Sequence, residues 1–262
     1  MREMHGTFRG AVLSGRKLFG TFLKIPATMP AEILGSVGYD FVVIDEEHAP
    51  FNRETTDRII LACRAWGLGA VVRVQSADPA ALLSVLDCGA DGILVPHVKD
   101  VETARAVVSA ARYATGTRGF SPTTRAGTFG GTSAADHVAQ QDGRVLVIAM
   151  IEDPEALEVI DDILAVEGLD AVFVGRGDLA SAYRDLSGQT GAVAQATAKI
   201  QASARAAGKV VAILPSTPED AQARAQEGAS MFILSSDQGF LRSAAIGVRE
   251  KFETALSAGK GE

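Results

Sequence analysis

The amino-acid sequence predicts an α/β protein that folds as one (β/α)₈ domain, a TIM barrel, over residues 1–262. A single barrel of this kind commonly uses about 250 residues, so the length suits one domain. Apolar residues make up 47% of the chain and aromatic residues only 6%, so aliphatic side chains must fill most of the core. Runs rich in Val and Ile alternate with amphipathic stretches, as in a parallel sheet that helices cover on both faces.

Eight apolar runs have the length and composition of buried parallel strands. They are Leu18–Lys24, Phe41–Ile44, Ala70–Val74, Gly92–Val95, Val145–Ile151, Ala171–Val174, Val210–Leu214 and Met231–Leu234. A strand followed by a helix, repeated eight times, favours a closed barrel. An open doubly wound sheet is the alternative, because one strand more or fewer would change the topology.

The stretches between these runs carry helix signals. Predicted helices cover Asp78–Cys88, Asp100–Ala111, Asp153–Val166 and Asp220–Glu227. Thr217 is the expected N-cap of the last helix, and Pro218 follows it in the first turn. The long connection from Tyr113 to Asp142 is rich in Gly, Thr, Ser and Arg, and we expect either a functional loop or a surface insertion there.

Charge and cysteine content narrow the classes of partner. The formal net charge of −7 disfavours nucleic acid, and no basic run suits an anionic membrane surface. No apolar stretch approaches the roughly 20 residues of a membrane span, and the first ten residues lack an apolar signal core. Cys63 and Cys88 stand among apolar residues, which suggests buried thiols in a reducing compartment. We therefore expect a cytoplasmic protein that acts on small molecules.

Polar residues that follow parallel barrel strands gather at one rim, where barrel enzymes have their active sites. Asp45-Glu46-Glu47-His48 follows the second strand. A carboxylate beside an imidazole fixes its tautomer and raises its basicity, which suits a general base. The alternative is a solvated loop that caps the next helix.

The third predicted strand contains Arg73 between valines. A buried guanidinium is costly without an anionic partner. Arg73 could bind a substrate carboxylate or a developing enolate oxygen, or it could form a structural ion pair with Asp45 or Glu47. One arginine can do both.

Two carboxylates follow neighbouring strands. Glu152 ends the fifth strand, and Asp178 follows the sixth in the segment Gly175-Arg176-Gly177-Asp178. Two hard oxygen ligands with open positions suit Mg²⁺ or Mn²⁺. The alternatives are a helix-dipole charge for Glu152 and an N-cap for Asp178.

Other polar residues give weaker signals. Gly175 and Gly177 could offer backbone N–H groups to a carboxylate, but the segment lacks a nucleotide-binding fingerprint. His97 follows the fourth strand, whereas His5 and His137 have no motif context. Lys24 stands at the end of the first strand and keeps a Schiff-base aldolase open as an alternative.

Several ordered motifs together resemble the HpcH/HpaI aldolase family of class II pyruvate aldolases. The resemblance runs from about Gly20 to Phe252. It rests on the segments Phe41–Pro50, Val71–Val74, Leu82–Ala90, Gly92–Pro96, Arg112–Gly119, Ile151-Glu152 and Val172–Leu179. The resemblance implies an aldolase that cleaves or forms 4-hydroxy-2-oxo acids through a pyruvate enolate and an aldehyde.

The resemblance also implies roles for particular residues. His48 is the general base, with Asp45 beside it, and Arg73 stabilises the enolate. Glu152 and Asp178 hold the divalent metal, which is Mg²⁺, Mn²⁺ or Co²⁺. We place the substrate against Arg73, Gly177, Asp178 and Leu214.

The family is oligomeric, which implies a homo-oligomer, a hexamer or a trimer, with an exchanged C-terminal helix over Phe240–Leu256. Asp87 matches an acid that can reach a neighbouring subunit's site and pair with the histidine. We therefore count Asp87 among the catalytic candidates.

The chain departs from the family pattern at three places. Glu46 stands where glycine is frequent, Met150 where glutamine is frequent, and Arg176-Gly177 where Pro-Ala is common. These departures bear on substrate identity, and Arg176 would add a cation near the metal. A related acyl-CoA lyase and a non-catalytic barrel subunit are the alternative functions.

Overall fold

The computed structural model describes residues 7–258, and its strands close into a parallel barrel in sequence order. The strands are β1 (Leu18–Leu23), β2 (Phe41–Asp45), β3 (Gly69–Arg73), β4 (Gly92–Val95), β5 (Leu146–Ile151), β6 (Ala171–Val174), β7 (Val210–Ile213) and β8 (Ala229–Ser236). Closure comes from parallel pairing of β1 with β8. The predicted (β/α)₈ barrel is confirmed, and the open sheet is wrong.

Helices follow the strands around the outside of the barrel. They are α1 (Phe8–Leu13), α2 (Met29–Ser36), α3 (Arg53–Trp66), α4 (Pro79–Asp87), α5 (Val101–Ala111), α6 (Ala134–Arg144), α7 (Ile160–Leu164), α8 (Arg176–Ala182), α9 (Ala192–Ala206), α10 (Pro218–Gln226) and α11 (Asp237–Ala258). Short 3₁₀ helices cover Arg125–Gly130 and Pro154–Leu157. Within residues 7–258, no helix combines the length and the apolar character that a membrane crossing requires.

Most predicted boundaries lie within two residues of the observed ones, but two segments differ. The helix predicted over Asp153–Val166 is broken into the 3₁₀ turn and α7, because Val159 leaves helical geometry with φ −122° and ψ 21°. The connection predicted from Tyr113 to Asp142 ends earlier than expected. Its second part is α6, which Ser133 caps by accepting a hydrogen bond from the Asp136 N–H.

The barrel interior is an apolar plug that fixes the positions of the strands. Alternate strand residues point inward, and Phe8 of α1 closes the bottom of this cluster. A Cβ on Gly69 would lie 2.4 Å from the Phe8 ring, so β3 needs glycine where it packs against Phe8. The other strand residues pack against the helices in a second, larger cluster. That cluster contains Cys63, and both cysteines are free and buried, as predicted.

Acids at the amino ends of three strands, β2, β4 and β6, close the bottom of the barrel. Asp40 precedes β2, Asp91 precedes β4 and Asp170 precedes β6. Each accepts a hydrogen bond from a backbone N–H of the preceding strand region, at 2.9 Å from Phe19, 3.0 Å from Ala70 and 3.0 Å from Val147. Each acid also pairs with arginine, and the partners are Arg16, Arg144, and both Arg9 and Arg112. These contacts neutralise the buried charges and tie consecutive strands together.

Candidate active site

The ends of β2 and β3 place a carboxylate and a guanidinium side by side inside the barrel mouth. Asp45 and Arg73 are partners in the strand register. The Arg73 guanidinium donates from Nε to Asp45 Oδ1 at 2.9 Å and from Nη2 to Oδ2 at 2.7 Å. Lys24 Nζ lies 3.1 Å from the same carboxylate. Burial raises the pKa of Asp45, but the hydrogen bonds and charges of Arg73 and Lys24 outweigh it and lower the pKa below its ordinary value.

Lys24 is therefore an ion-pair partner of a buried carboxylate rather than a free amine. A Schiff-base nucleophile needs an amine that is free to attack the substrate carbonyl, whereas Lys24 Nζ is engaged with the buried Asp45 carboxylate. The geometry gives no support to the Schiff-base alternative. It places Lys24 among the residues that hold Asp45 and Arg73.

Glu47, rather than Asp45, faces the imidazole of His48. Glu47 Oε2 is 3.6 Å from His48 Nε2 and 3.3 Å from Arg73 Nη1, and it is buried. Asp45 instead accepts a hydrogen bond from the His48 backbone N–H at 3.2 Å, which holds the loop. The His48 side chain is 54% exposed, so a substrate can reach the ring. Glu47 links the exposed imidazole to the buried guanidinium.

Glu152 lies beside Asp178, as the order of the strands predicts. Glu152 follows the last residue of β5, and Asp178 lies in the first turn of α8 after β6. The Gly175 N–H donates to the Ile151 carbonyl at 3.0 Å, which keeps the two strand ends together. A Cβ on Gly175 would lie 2.5 Å from Glu152 Cβ, so only glycine allows this approach.

The Glu152 carboxylate is 2% exposed. Burial raises its pKa, the His97 backbone N–H opposes that rise, and the adjacent Asp178 carboxylate adds to it, so that the pKa is about 7. Glu152 is buried and Asp178 is exposed, and the two adjacent carboxylates repel each other. A proton on Glu152 or a bound cation would relieve this repulsion.

His97 and Asp153 extend this acidic corner. The His97 N–H donates to Glu152 Oε1 at 2.8 Å, and its Nδ1 lies 3.1 Å from Asp153 Oδ2. His97 has a left-handed backbone with φ 54°, which is uncommon for residues other than glycine. Ligand atoms of His97, Glu152 and Asp153 lie within 4.8 Å of one another.

This donor set fits a hard divalent cation. Glu152 and Asp178 offer carboxylate oxygens, and two positive charges would compensate the burial of the Glu152 carboxylate and relieve its repulsion from Asp178. A metal there would replace the proton that the raised pKa of Glu152 favours.

The remaining predicted residues lie at different distances from this centre. Leu214 follows β7 and is 37% exposed, and the space beside Gly177 is open. Asp87 ends α4, where its Oδ1 lies 3.6 Å from the buried Arg118 guanidinium. Burial raises the pKa of Asp87, and Arg118 opposes that rise. Within the chain Asp87 thus faces an arginine.

Glu46 and Arg176, two of the departures from the family pattern, both have partners. Glu46 accepts a hydrogen bond from Thr56 Oγ1, and burial raises its pKa although that bond opposes the rise. Arg176 Nη1 donates to Asp220 Oδ2 at 2.6 Å. Glu46 is therefore turned toward α3, and Arg176 reaches from α8 to α10.

The sequence suggested Glu47 only as an ion-pair partner of Arg73 and indicated no role for Asp153. Both follow strand ends, so the rule that selected Glu152 could have selected them. The missing signal was the partner of each residue, because the side chains that meet across strands depend on the register of the barrel.

Comparisons with known proteins agree with the barrel fold. The HpcH/HpaI aldolase/citrate lyase family matches residues 18–244. A protein of Citrobacter koseri named 5-keto-4-deoxy-D-glucarate aldolase is 33% identical over 94% of this chain and 96% of its own. The crystal structure of citrate synthase SbnG has a TM-score of 0.86 and 33% identity over 95% of this chain and 98% of that chain. An HpcH/HpaI family protein of Burkholderia cenocepacia has a TM-score of 0.88 and 27% identity over 94% and 98%. The chain belongs to the HpcH/HpaI aldolase/citrate lyase family.

Proposed function

We propose that the chain is a divalent-metal-dependent aldolase that cleaves and forms 4-hydroxy-2-oxo acids, with pyruvate and an aldehyde as the other reactants. The observation that carries this proposal is the buried Glu152 beside Asp178 at the carboxyl ends of β5 and β6. Membership of an aldolase family supports the reaction class. Both carboxylates lie at the rim where barrel enzymes bind their substrates.

Glu152 and Asp178 would hold the cation, and Mg²⁺, Mn²⁺ and Co²⁺ all suit oxygen ligands with open positions. When bound, the cation acts as a Lewis acid that polarises the 2-oxo acid and stabilises negative charge on its oxygens. The His97 N–H orients the Glu152 carboxylate by its 2.8 Å hydrogen bond. Gly175 leaves room for that orientation.

His48 accepts the proton of the substrate's 4-hydroxyl during cleavage. Its ring is exposed at the mouth, and its Nε2 lies 3.6 Å from Glu47 Oε2. As the carbon–carbon bond breaks, its electron pair moves to the 2-oxo group and gives the enolate, and the aldehyde leaves. The enolate then takes a proton at carbon from solvent water and becomes pyruvate, and His48 releases the proton it accepted to solvent. In synthesis, His48 returns its proton to the new alkoxide.

Arg73 places positive charge where the enolate oxygen develops. Asp45 engages Nε and Nη2, so the guanidinium is fixed before substrate arrives. Nη1, which faces Glu47 at 3.3 Å, retains donor capacity for a substrate oxygen. Asp45 is thus a positioning residue, and Lys24 supports it.

We propose that the substrate lies against Arg73, Asp178, Gly177 and Leu214. Leu214 offers an apolar wall at the end of β7, and Gly177 leaves open backbone at the start of α8. The relatives named 5-keto-4-deoxy-D-glucarate aldolase support a hydroxylated 2-oxo acid as the substrate. The two buried free thiols support a cytoplasmic location.

The surface of α11 supports a homo-oligomer, a hexamer or a trimer, with this helix exchanged between subunits. Its apolar side chains are exposed at Leu241, Ile246, Val248, Phe252 and Leu256. An apolar groove of about 480 Å³ lies between α2 and the start of α11. Exposed apolar surface of this extent marks an interface. In such an assembly Asp87 would contribute to the site of a neighbouring subunit, and light scattering on the purified protein measures the subunit number.

One experiment tests the reaction. The purified chain is incubated with pyruvate and a panel of aldehydes, with Mn²⁺ or with EDTA, and product formation is followed alongside exchange of the pyruvate methyl protons with deuterium oxide. We expect both activities with metal and neither with EDTA. His48→Ala should lower aldol turnover by about 10²- to 10⁴-fold, the range for loss of a general base.

The exposed Glu158, six residues beyond Glu152 on the same connection, provides a control, and Glu158→Gln should keep full activity. Activity that survives EDTA would contradict the metal proposal. A chain that catalyses neither proton exchange nor aldol addition with any of the three metals would favour the non-catalytic barrel.

A further inference from the structure

Arg176 lies on the rim of the site between two βα loops. It is the first residue of α8, directly after β6 and two residues before Asp178. Its Nη1 donates to Asp220 Oδ2 at 2.6 Å, and Asp220 lies in the first turn of α10, after β7. The side chain therefore spans the carboxyl ends of β6 and β7.

Asp220 does not depend on Arg176 for a partner. Its Oδ2 accepts hydrogen bonds from the Ser216 N–H at 2.9 Å and the Ser216 hydroxyl at 3.1 Å, and Arg224 Nε lies 3.3 Å from Oδ1. The carboxylate is thus held in place from its own loop and its own helix. It serves as a fixed anchor for one nitrogen of the Arg176 guanidinium.

The rest of that guanidinium is available. Arginine has five N–H donors, and the 2.6 Å bond to Asp220 uses one of them. The Arg176 side chain is 32% exposed, whereas Arg73 is 6% exposed with two nitrogens on Asp45. An added Cβ on the neighbouring Gly177 would meet nothing within 4 Å, so the start of α8 is open to a ligand.

The Arg176 cation matters because most of the other charged side chains at the mouth are acidic. The acids that reach the mouth are Glu47, Asp153 and Asp178, with the buried Glu152 beside them, whereas Glu46 is turned toward α3. Of the nearby cations, Lys24 and Arg73 both lie on the buried Asp45. A second anionic group on a substrate would meet repulsion over most of the mouth. Arg176 offers an exposed, anchored fork that suits a carboxylate.

We propose that Arg176 determines specificity by binding an anionic group on the aldehyde half of the substrate, so that the chain prefers aldehydes that carry a carboxylate. This role rests on the proposed aldolase reaction and names the class of its acceptor. Asp220 keeps the guanidinium oriented through Nη1, and the remaining donors bind the carboxylate.

The test compares aldehydes that differ in charge but little in size. The pairs are glyoxylate against glycolaldehyde, and succinic semialdehyde against 4-hydroxybutanal, each with pyruvate and Mn²⁺. For at least one pair, Arg176→Gln should lower kcat/KM for the anionic aldehyde by about 10- to 100-fold, the range of a charged hydrogen bond. The neutral partner should change by less than about threefold, within the scatter of a surface substitution. Arg176→Lys should recover part of the loss because it keeps the charge.

Arg184→Gln is the matched control, because it removes an exposed cation from the segment that follows α8. It should leave the preference unchanged. Equal effects of Arg176→Gln on both members of each pair, or no effect on either, would overturn the role of Arg176. Exchange of the pyruvate methyl protons with deuterium oxide is measured separately for the wild-type chain. If exchange and aldol addition are both absent, the aldolase function fails as well, and the two failures are distinguishable.

Discussion

The acids at the two ends of the barrel have opposite surroundings. At the bottom, Asp170 accepts a hydrogen bond from the Val147 N–H and pairs with Arg9 and Arg112. At the mouth, Glu152 has a backbone donor and an exposed imidazole at 3.4 Å, both from His97, and a second acid beside it. Asp170 and Glu152 are both buried, so they differ in how far their charges are compensated rather than in exposure. Acids paired with arginine stabilise the barrel, whereas a less compensated acid keeps a place for a cation.

The largest expected effect comes from Glu152→Gln, which removes a carboxylate from the less compensated end. We expect aldol turnover to fall by about 10³-fold or more, because charge stabilisation in the transition state is worth several kcal/mol. Stability without metal should stay the same or rise, because the repulsion with Asp178 disappears. Steady-state kinetics with Mn²⁺ and thermal unfolding in EDTA measure the two quantities. A variant that unfolds more easily and keeps its activity would contradict this assignment.

Asp170→Asn at the bottom of the barrel should lower stability and leave activity nearly unchanged. It leaves the buried Arg112 guanidinium without its carboxylate, and breaking such a pair typically costs about 3–5 kcal/mol of the free energy of unfolding. Activity per folded chain should stay within about twofold of wild type, because the bottom of the barrel is remote from the mouth. Denaturant titration and kcat measurements check this. The control is Asp162→Asn on the exposed face of α7, which should change stability by about 0.5 kcal/mol at most.

The pH dependence of metal binding also distinguishes Glu152 at the mouth from the arginine-paired acids at the bottom of the barrel. The pKa of Glu152 is about 7 in the folded chain without metal, so a cation must displace a proton below that pH. Affinity for Mn²⁺ should rise about tenfold per pH unit as the pH approaches 7, then level off. Calorimetric titration at several pH values measures this dependence. A flat profile between pH 5 and 7 would show that Glu152 is already ionised.

The stability of the metal-free protein should also depend on pH, in the direction set by the raised pKa of Glu152. A carboxyl with a raised pKa favours the protonated folded state, so its contribution is complete at low pH and is lost as the pH rises through about 7. As the pH rises from the ordinary pKa of 4.5 to about 7, the unfolding midpoint of the wild type in EDTA should therefore fall relative to that of Glu152→Gln. Parallel curves for the two proteins would contradict the raised pKa.

The sequence predicted the residues at the mouth better than their partners. Residues after strands share one rim in any parallel barrel, which is why Asp45, Arg73, Glu152 and Asp178 could be found from local pattern. The pairing of Arg73 with Asp45 rather than with Glu47 alone depends on strand register. The sequence left that pairing open, and the structure contains contacts to both acids.

Other features lay beyond local pattern for similar reasons. The break at Val159 has no proline or glycine to signal it, so an amphipathic stretch was read as one helix. Asp91 and Asp170 look like ordinary loop acids until the barrel closes and brings Arg144 and Arg112 to them. The contact between Asp87 and Arg118 joins a helix end to a loop 31 residues later. Such contacts depend on the closed barrel rather than on neighbouring residues.

The central claim is that Glu152 and Asp178 together hold one divalent cation. Electron paramagnetic resonance of Mn²⁺ added to metal-stripped protein tests it most directly, with wild type, Glu152→Gln, Asp178→Asn and the control Glu158→Gln compared at pH 8. The account predicts one bound ion per chain in the wild type and the control, and a large loss of affinity in both site variants. Wild-type affinity for Mn²⁺ in the Asp178→Asn variant would contradict it.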